Sequence, residues 1–168
     1  QNPHHMEWLT ESNIPPPKHV TGVRLMMKPY FKPPLEEGIK TQTRRDWLPG
    51  HLTQFQNCLT NRQWIKGCMG QTNESHHMWV YLDQITTERA SDMPSNALAR
   101  EGFTKQFSHI KTLNLNHSQF TIQHLHSPKR NPHCKADRKR RAHSPNCSCD
   151  HYIHVLTFRT HPLGPKHN

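Results

Sequence analysis

Apolar residues in this chain come in short runs set apart by long polar stretches, and the period of each run predicts its element. Val23-Arg24-Leu25-Met26-Met27 is apolar enough for a first buried strand, and Lys28-Pro29 ends it, because the residue before a proline is restricted. Pro33-Pro34-Leu35-Glu36-Glu37-Gly38 predicts a short helix, with proline in its first turn and glycine at its end. Lys40–Arg45 then reads as a second strand. Residues 48–76 are polar and carry a weak strand signal around Asn61–Ile65. The run His77–Leu82 is rich in β-formers and predicts a clearer strand that continues through Ile85-Thr86-Thr87.

Further along, Asp92 and Ser95 are candidate N-caps for a helix over Ala97–Glu101, which Gly102 stops. Phe103, Phe107 and Ile110 stand at i, i+4 and i+7, the spacing of a helix face packed in the core, so a second short helix is expected over Phe103–Leu113. Phe120-Thr121-Ile122 reads as a strand start. Tyr152–Phe158 is a final strand whose dense apolar content predicts burial. No internal repeat is visible. The order of elements suits an α+β architecture, a small β-barrel with short helices at one side.

Composition narrows this picture. Only 32% of the 168 residues are hydrophobic, so a small core with flexible segments is expected, and the 14 prolines argue against long helices. Residues 1–20, with Pro15-Pro16-Pro17, read as an extended arm, and 161–168 as a tail. Between the last two strands, residues 126–150 carry seven Lys or Arg against two Asp, half of the formal net charge of +10. They read as a solvated basic loop inserted into the domain spanning 21–160.

A surplus of positive charge favours a polyanionic partner, most often nucleic acid. No apolar run is long enough to span a membrane, and no signal-peptide pattern is visible. Five cysteines, an odd number without a framework spacing, point to a reducing cytoplasm. Cys58 and Cys68 are expected as free thiols.

The chemistry concentrates at Lys40-Thr41-Gln42-Thr43-Arg44-Arg45, which places an amine, two hydroxyls and two guanidinium groups within six residues. That set suits phosphate and nucleobase carbonyls. Lys40 and Thr43 have opposite parity on an ideal strand, so joint action requires Lys40 to sit in the Gly38–Ile39 turn or on a bulge.

Three stretches resemble the ASCH domains of the PUA-like superfold. The first is Leu35–Arg45, L-E-E-G-I-K-T-Q-T-R-R, similar to the family's helix followed by Gly-x-Lys-Thr-x-Thr-x-Arg. The second is Ile85–Phe103, ending in Glu101-Gly102-Phe103, and the third is the terminal strand His154–Phe158. The resemblance implies a PUA-like β-barrel with a cleft facing the helices, and RNA binding. It also implies an amidohydrolase alternative, since small bacterial members deacetylate N4-acetylcytidine with a Lys, a Thr three residues later and a Glu on the following helix. Carried over, the catalytic set is Lys40, Thr43 and Glu101. Two departures stand out: the basic segment 126–150 is extra, and Pro33-Pro34 replace regular helix.

In the chemistry of such a site, Thr43 attacks an amide carbonyl once a neighbour removes its proton, and a Lys40 of lowered pKa, with Arg44 and Arg45 nearby, is suited to do so. Glu101 either holds Lys40 or activates water. In the binding reading, Lys40, Thr41, Arg44 and Arg45 contact the nucleotide, while Trp47 or Trp79 stacks a base. Within the basic segment, Lys135, Arg138, Lys139, Arg140 and Arg141 form a phosphate-binding arm or address signal, or else a surface for a protein partner. His133, Cys134, His143, Cys147, Cys149 and His151 cluster there too, but Cys-x-Cys is tighter than the usual zinc spacing, so neither a metal site nor a cofactor is expected. The expected functions are binding of RNA or a modified nucleoside, with deacylation of N4-acetylcytidine-type substrates and a non-catalytic protein-interaction module as alternatives.

Overall fold

A computed structural model describes residues 20–45, 47–70, 76–89, 92–111 and 152–162. The rest of the arm, the expected strand start at Phe120–Ile122, the basic segment 126–150 and residues 163–168 lie outside them.

The described fold is α+β, built on one five-stranded mixed sheet: β1 (Val20–Met26), β2 (Gln42–Arg45), β3 (Trp64–Cys68), β4 (His76–Arg89) and β5 (Tyr152–Pro162). Its order is β1-β3-β4-β5-β2. β1 runs parallel to β3, and the other neighbours are antiparallel. The parallel pair needs a crossover, and the chain supplies it with α1 (Lys32–Glu36), β2 and α2 (Pro49–Thr60).

The strands alternate as half-buried sheet should. Met78, Val80 and Leu82 of β4 are buried, while Trp79 and Tyr81 between them are half-buried. A bulge after Leu82 shifts the register, so that Leu82 pairs with Phe158 and Gln84 with Thr157. Leu25, Leu35, Phe55, Ile65, Val80 and Phe158 centre the core, which places α1 and α2 on the same face of the sheet.

The expected closed barrel is not formed by the described strands. β1 and β2 are the two edges, with no backbone ladder between them among the described residues. A side chain spans the gap instead: Arg45 Nη2 donates to the Met26 carbonyl at 2.7 Å.

Other expectations need correction. Residues 49–60, in the stretch read only as polar, form the longest described helix. Pro49 occupies its first turn, where no N–H is needed, and only Phe55 and Cys58 are buried, too few to show a periodic face. The strand expected near Asn61–Ile65 starts at Trp64 instead. Over its described part, residues 103–111, the expected second helix is not formed: Lys105–Phe107 make a 3-10 turn, although Phe103 and Phe107 are buried as expected. Asp92 and Ser95 do not cap α3 (Ala97–Arg100): the N-cap position is Asn96, which makes no side-chain cap bond. The second strand is shorter than expected, since Lys40 and Thr41 precede it.

All three helices end in the same turn. In each, the N–H two positions past the C-cap bonds the carbonyl five residues back: Ile39 to Pro34, Gln63 to Cys58 and Phe103 to Leu98. The turn needs a left-handed residue, supplied by Gly38 (φ 70°), Arg62 (φ 52°) and Gly102 (φ 102°).

Candidate functional site

Two of these turns build the site. The α1 turn reverses the chain at Gly38 and presents Lys40, whose N–H bonds the Pro34 carbonyl at 3.0 Å. The α3 turn places Glu101 at the C-cap, immediately before Gly102. A backbone bond from Thr41 N–H to the Arg100 carbonyl at 2.8 Å joins the two turns. A Cβ built on Gly102 would lie 3.4 Å from Lys40 Cβ, so the turns are in contact.

The parity objection to Lys40 is thereby resolved. Lys40 sits between the Gly38 turn and β2, where strand alternation does not apply. Its amine donates to the carbonyls of Gln42 and Glu101, each at 2.9 Å. It lies 3.6 Å from Glu101 Oε1 and 4.3 Å from the centre of the Phe31 ring, a cation–π distance.

Glu101 is shared between two cations. Its Oε2 accepts from Arg44 Nη1 at 2.8 Å, and Arg44 Nε donates to Glu88 Oε1 at 2.6 Å. The chain Lys40–Glu101–Arg44–Glu88 alternates in sign and is almost entirely buried; the Arg44 side chain is 3% exposed and Glu88, at 21%, is the wettest member. Alternation makes such burial tolerable, because each desolvated charge has an opposite neighbour.

Burial lowers the pKa of Lys40 from its ordinary 10.5 to about 8. Glu101 opposes the shift, and the charges of Arg45 and Arg44 add to it. Burial also lowers Arg45, again opposed by Glu101; a guanidinium nonetheless stays charged at neutral pH.

Lys40, Thr43, Arg44, Arg45 and Glu101 all line one cleft of about 370 Å³, walled on its other side by Met26, Met27, Phe31 and Met69. That is the size and mixed polarity of a small-molecule site. Thr43 is buried, and its Oγ1 accepts from Arg45 Nε at 3.2 Å, which leaves the hydroxyl proton for another partner. Lys28 also lines the cleft, so its cations outnumber Glu101.

Not every residue singled out in the sequence reaches the cleft with its chemistry available. Arg44 is held between two carboxylates, so it serves Glu101 first. Thr41 is outside the lining, and its backbone ties α3 and β5 together, Phe158 N–H bonding its carbonyl at 2.9 Å. Trp47 stacks on Phe55 (4.2 Å) and His51 (4.5 Å), with the Arg45 guanidinium 5.9 Å from its ring. It therefore borders the cleft through Arg45. Trp79 lies elsewhere, in contact with His76 at 4.4 Å.

Lys135, Arg138, Lys139, Arg140, Arg141 and the Cys/His cluster lie outside the described residues. Cys58 and Cys68 are buried free thiols. Among the described residues no group of His, Cys, Asp and Glu is arranged to hold a metal, and no helix is long and apolar enough to cross a membrane.

Sequence reasoning missed three participants. Phe31 lies outside the quoted stretches, Glu88 lies inside Ile85–Phe103 but was given no role, and Met69 sits in the stretch read only as polar. The one available signal was for Phe31, an aromatic directly before the Pro33-Pro34 turn. Comparison with protein-family models, curated proteins and solved structures found no match to this chain.

Proposed function

We propose that this chain is an ASCH-like domain of PUA-like fold whose cleft binds the base of a modified nucleoside or of RNA. The observation that carries the reading is the convergence of Lys40, Thr43, Arg45 and Glu101 on one cleft, although Glu101 lies far from the others in sequence. The cations favour a carbonyl-rich or phosphate-bearing ligand, and the Met and Phe wall favours a flat ring.

One observation favours a second, chemical reading of the same cleft: a fully buried lysine with a pKa near 8. A measurable fraction of its amine is neutral at physiological pH, and a neutral amine accepts the proton of Thr43 as the hydroxyl attacks an amide carbonyl. Glu101 orients that amine and stabilises the ammonium that forms. The proton then passes to the leaving amine, and water releases the acyl group from Thr43. N4-acetylcytidine is the substrate that the resemblance implies.

Calorimetric titration with N4-acetylcytidine and acetate-release assays test both readings. Binding and turnover are expected for the parent chain. Thr43→Val is expected to keep binding within about threefold and to abolish turnover, as loss of a nucleophile does. Lys40→Ala is expected to lose both. Binding without turnover in the parent chain would leave only the first reading, and neither binding nor turnover by folded protein would remove both.

A further inference from the structure

The far face of the sheet, opposite α1 and α2, carries a second concentration of chemistry that the cleft does not use. Cross-strand partners share a face. Lys66 pairs with Trp79, and Trp79 with His161, which sets a base, an indole and an imidazole in one row across β3, β4 and β5. Arg24 of β1 extends that row by pairing with Lys66. About 7 Å along the strands, Tyr81 pairs with Arg159 in a second row, and Trp64 joins it with its ring 5.4 Å from Tyr81.

The two rows interlock. Trp64 also meets His161 edge-on at 5.8 Å, and the Arg159 guanidinium lies 5.6 Å from the Tyr81 ring. Trp79, Tyr81, Lys66 and His161 are all half-buried, with part of each at the surface. The acidic counterweight is Asp83, bound through both oxygens by Arg159. The charged positions Arg24, Lys66 and Arg159 thus exceed Asp83.

We propose that this face is a platform for single-stranded nucleic acid, separate from the cleft. Bases stack on Trp79 and Tyr81, and phosphates lie along Lys66. Aromatic rings on a sheet flanked by cations hold a strand with little regard to sequence, because every base offers a π-face. A duplex hides those faces and is not accepted in this mode.

Fluorescence anisotropy with fluorescein-labelled oligo-uridylate tests this. Trp79→Ala is expected to weaken binding about tenfold. Lys66→Glu, at a half-exposed position, keeps the test valid should Trp79→Ala fail to fold. It is expected to weaken binding and to lower the salt slope by about 0.7 per lost phosphate contact. Oligo-uridylate is expected to quench tryptophan fluorescence, and Trp79→Phe to remove much of that quenching. Lys66→Glu should leave N4-acetylcytidine binding and acetate release intact, which separates this proposal from the cleft reading. Unchanged affinity in both platform variants, or a duplex bound as tightly as the single strand, would overturn it. Preference for poly-glutamate over oligo-uridylate would overturn it in favour of an acidic protein partner.

Discussion

Arg44 and Arg159 make nearly the same ion pair in two different media. Each holds a carboxylate at 2.6 Å, Arg44 on Glu88 and Arg159 on Asp83. The Arg44 side chain is 3% exposed and that of Arg159 is 27%. Geometry alone would favour Arg159, whose second contact is at 2.9 Å against 3.5 Å for Arg44. Beside the cleft, charges have lost their water and depend on one another; on the far face they keep water as an alternative partner. The first region is therefore brittle and chemically tuned, and the second tolerant and suited to reversible contact.

The sharpest way to break this contrast is Glu101→Gln. It leaves Lys40 and Arg44 buried with a charge missing between them. A loss of about 3–5 kcal/mol is expected from urea unfolding, since removing one partner strands the others. A loss below about 1 kcal/mol would mean that water reaches the network and that the two regions do not differ.

A second test uses pH. Folded Lys40 has a pKa of about 8, against 10.5 for an ordinary lysine. Below about pH 8 it is protonated in both the folded and the unfolded chain, and the cost of burying its charge is fully present. Between pH 8 and 10.5 the unfolded chain binds more protons, so stability rises with pH across that window and levels off above it. The difference in urea midpoint between the parent chain and Lys40→Met isolates this contribution from other titrating groups. A flat difference across the window would show that Lys40 keeps an ordinary proton affinity.

The smallest effect is expected at the surface. Arg159→Ala should cost less than about 1 kcal/mol in urea unfolding, and added salt should shrink even that. A cost matching Glu101→Gln would erase the distinction between the two sites.

What was legible in the chain follows from how each feature is encoded. The helix ends at Gly38 and Gly102 are written in glycine, and the turns appeared where expected. The same turn at the end of α2 uses Arg62, a residue that does not announce a left-handed conformation, and α2 went unread along with it. Lys40, Thr43 and Glu101 were singled out through the resemblance, and two turns and the start of β2 bring them to one cleft. The inner role of Arg44 was not legible, because it depends on Glu88, which reaches it only through the β4–β5–β2 register. Alternation in β4 was readable, whereas the parallel pairing of β1 with β3 is non-local and leaves no local mark. The open seam was also hidden, because strand count and order say nothing about whether two edges meet.

That seam has a consequence for how a ligand enters. A closed barrel would have to part several backbone hydrogen bonds together before its mouth could widen. Among the described residues the span between Met26 and β2 is a single guanidinium, which also touches Thr43 and borders Trp47. Turning one side chain breaks its two hydrogen bonds and leaves every backbone ladder in place. Widening this side of the cleft thus asks for one guanidinium to turn, not for a backbone ladder to part.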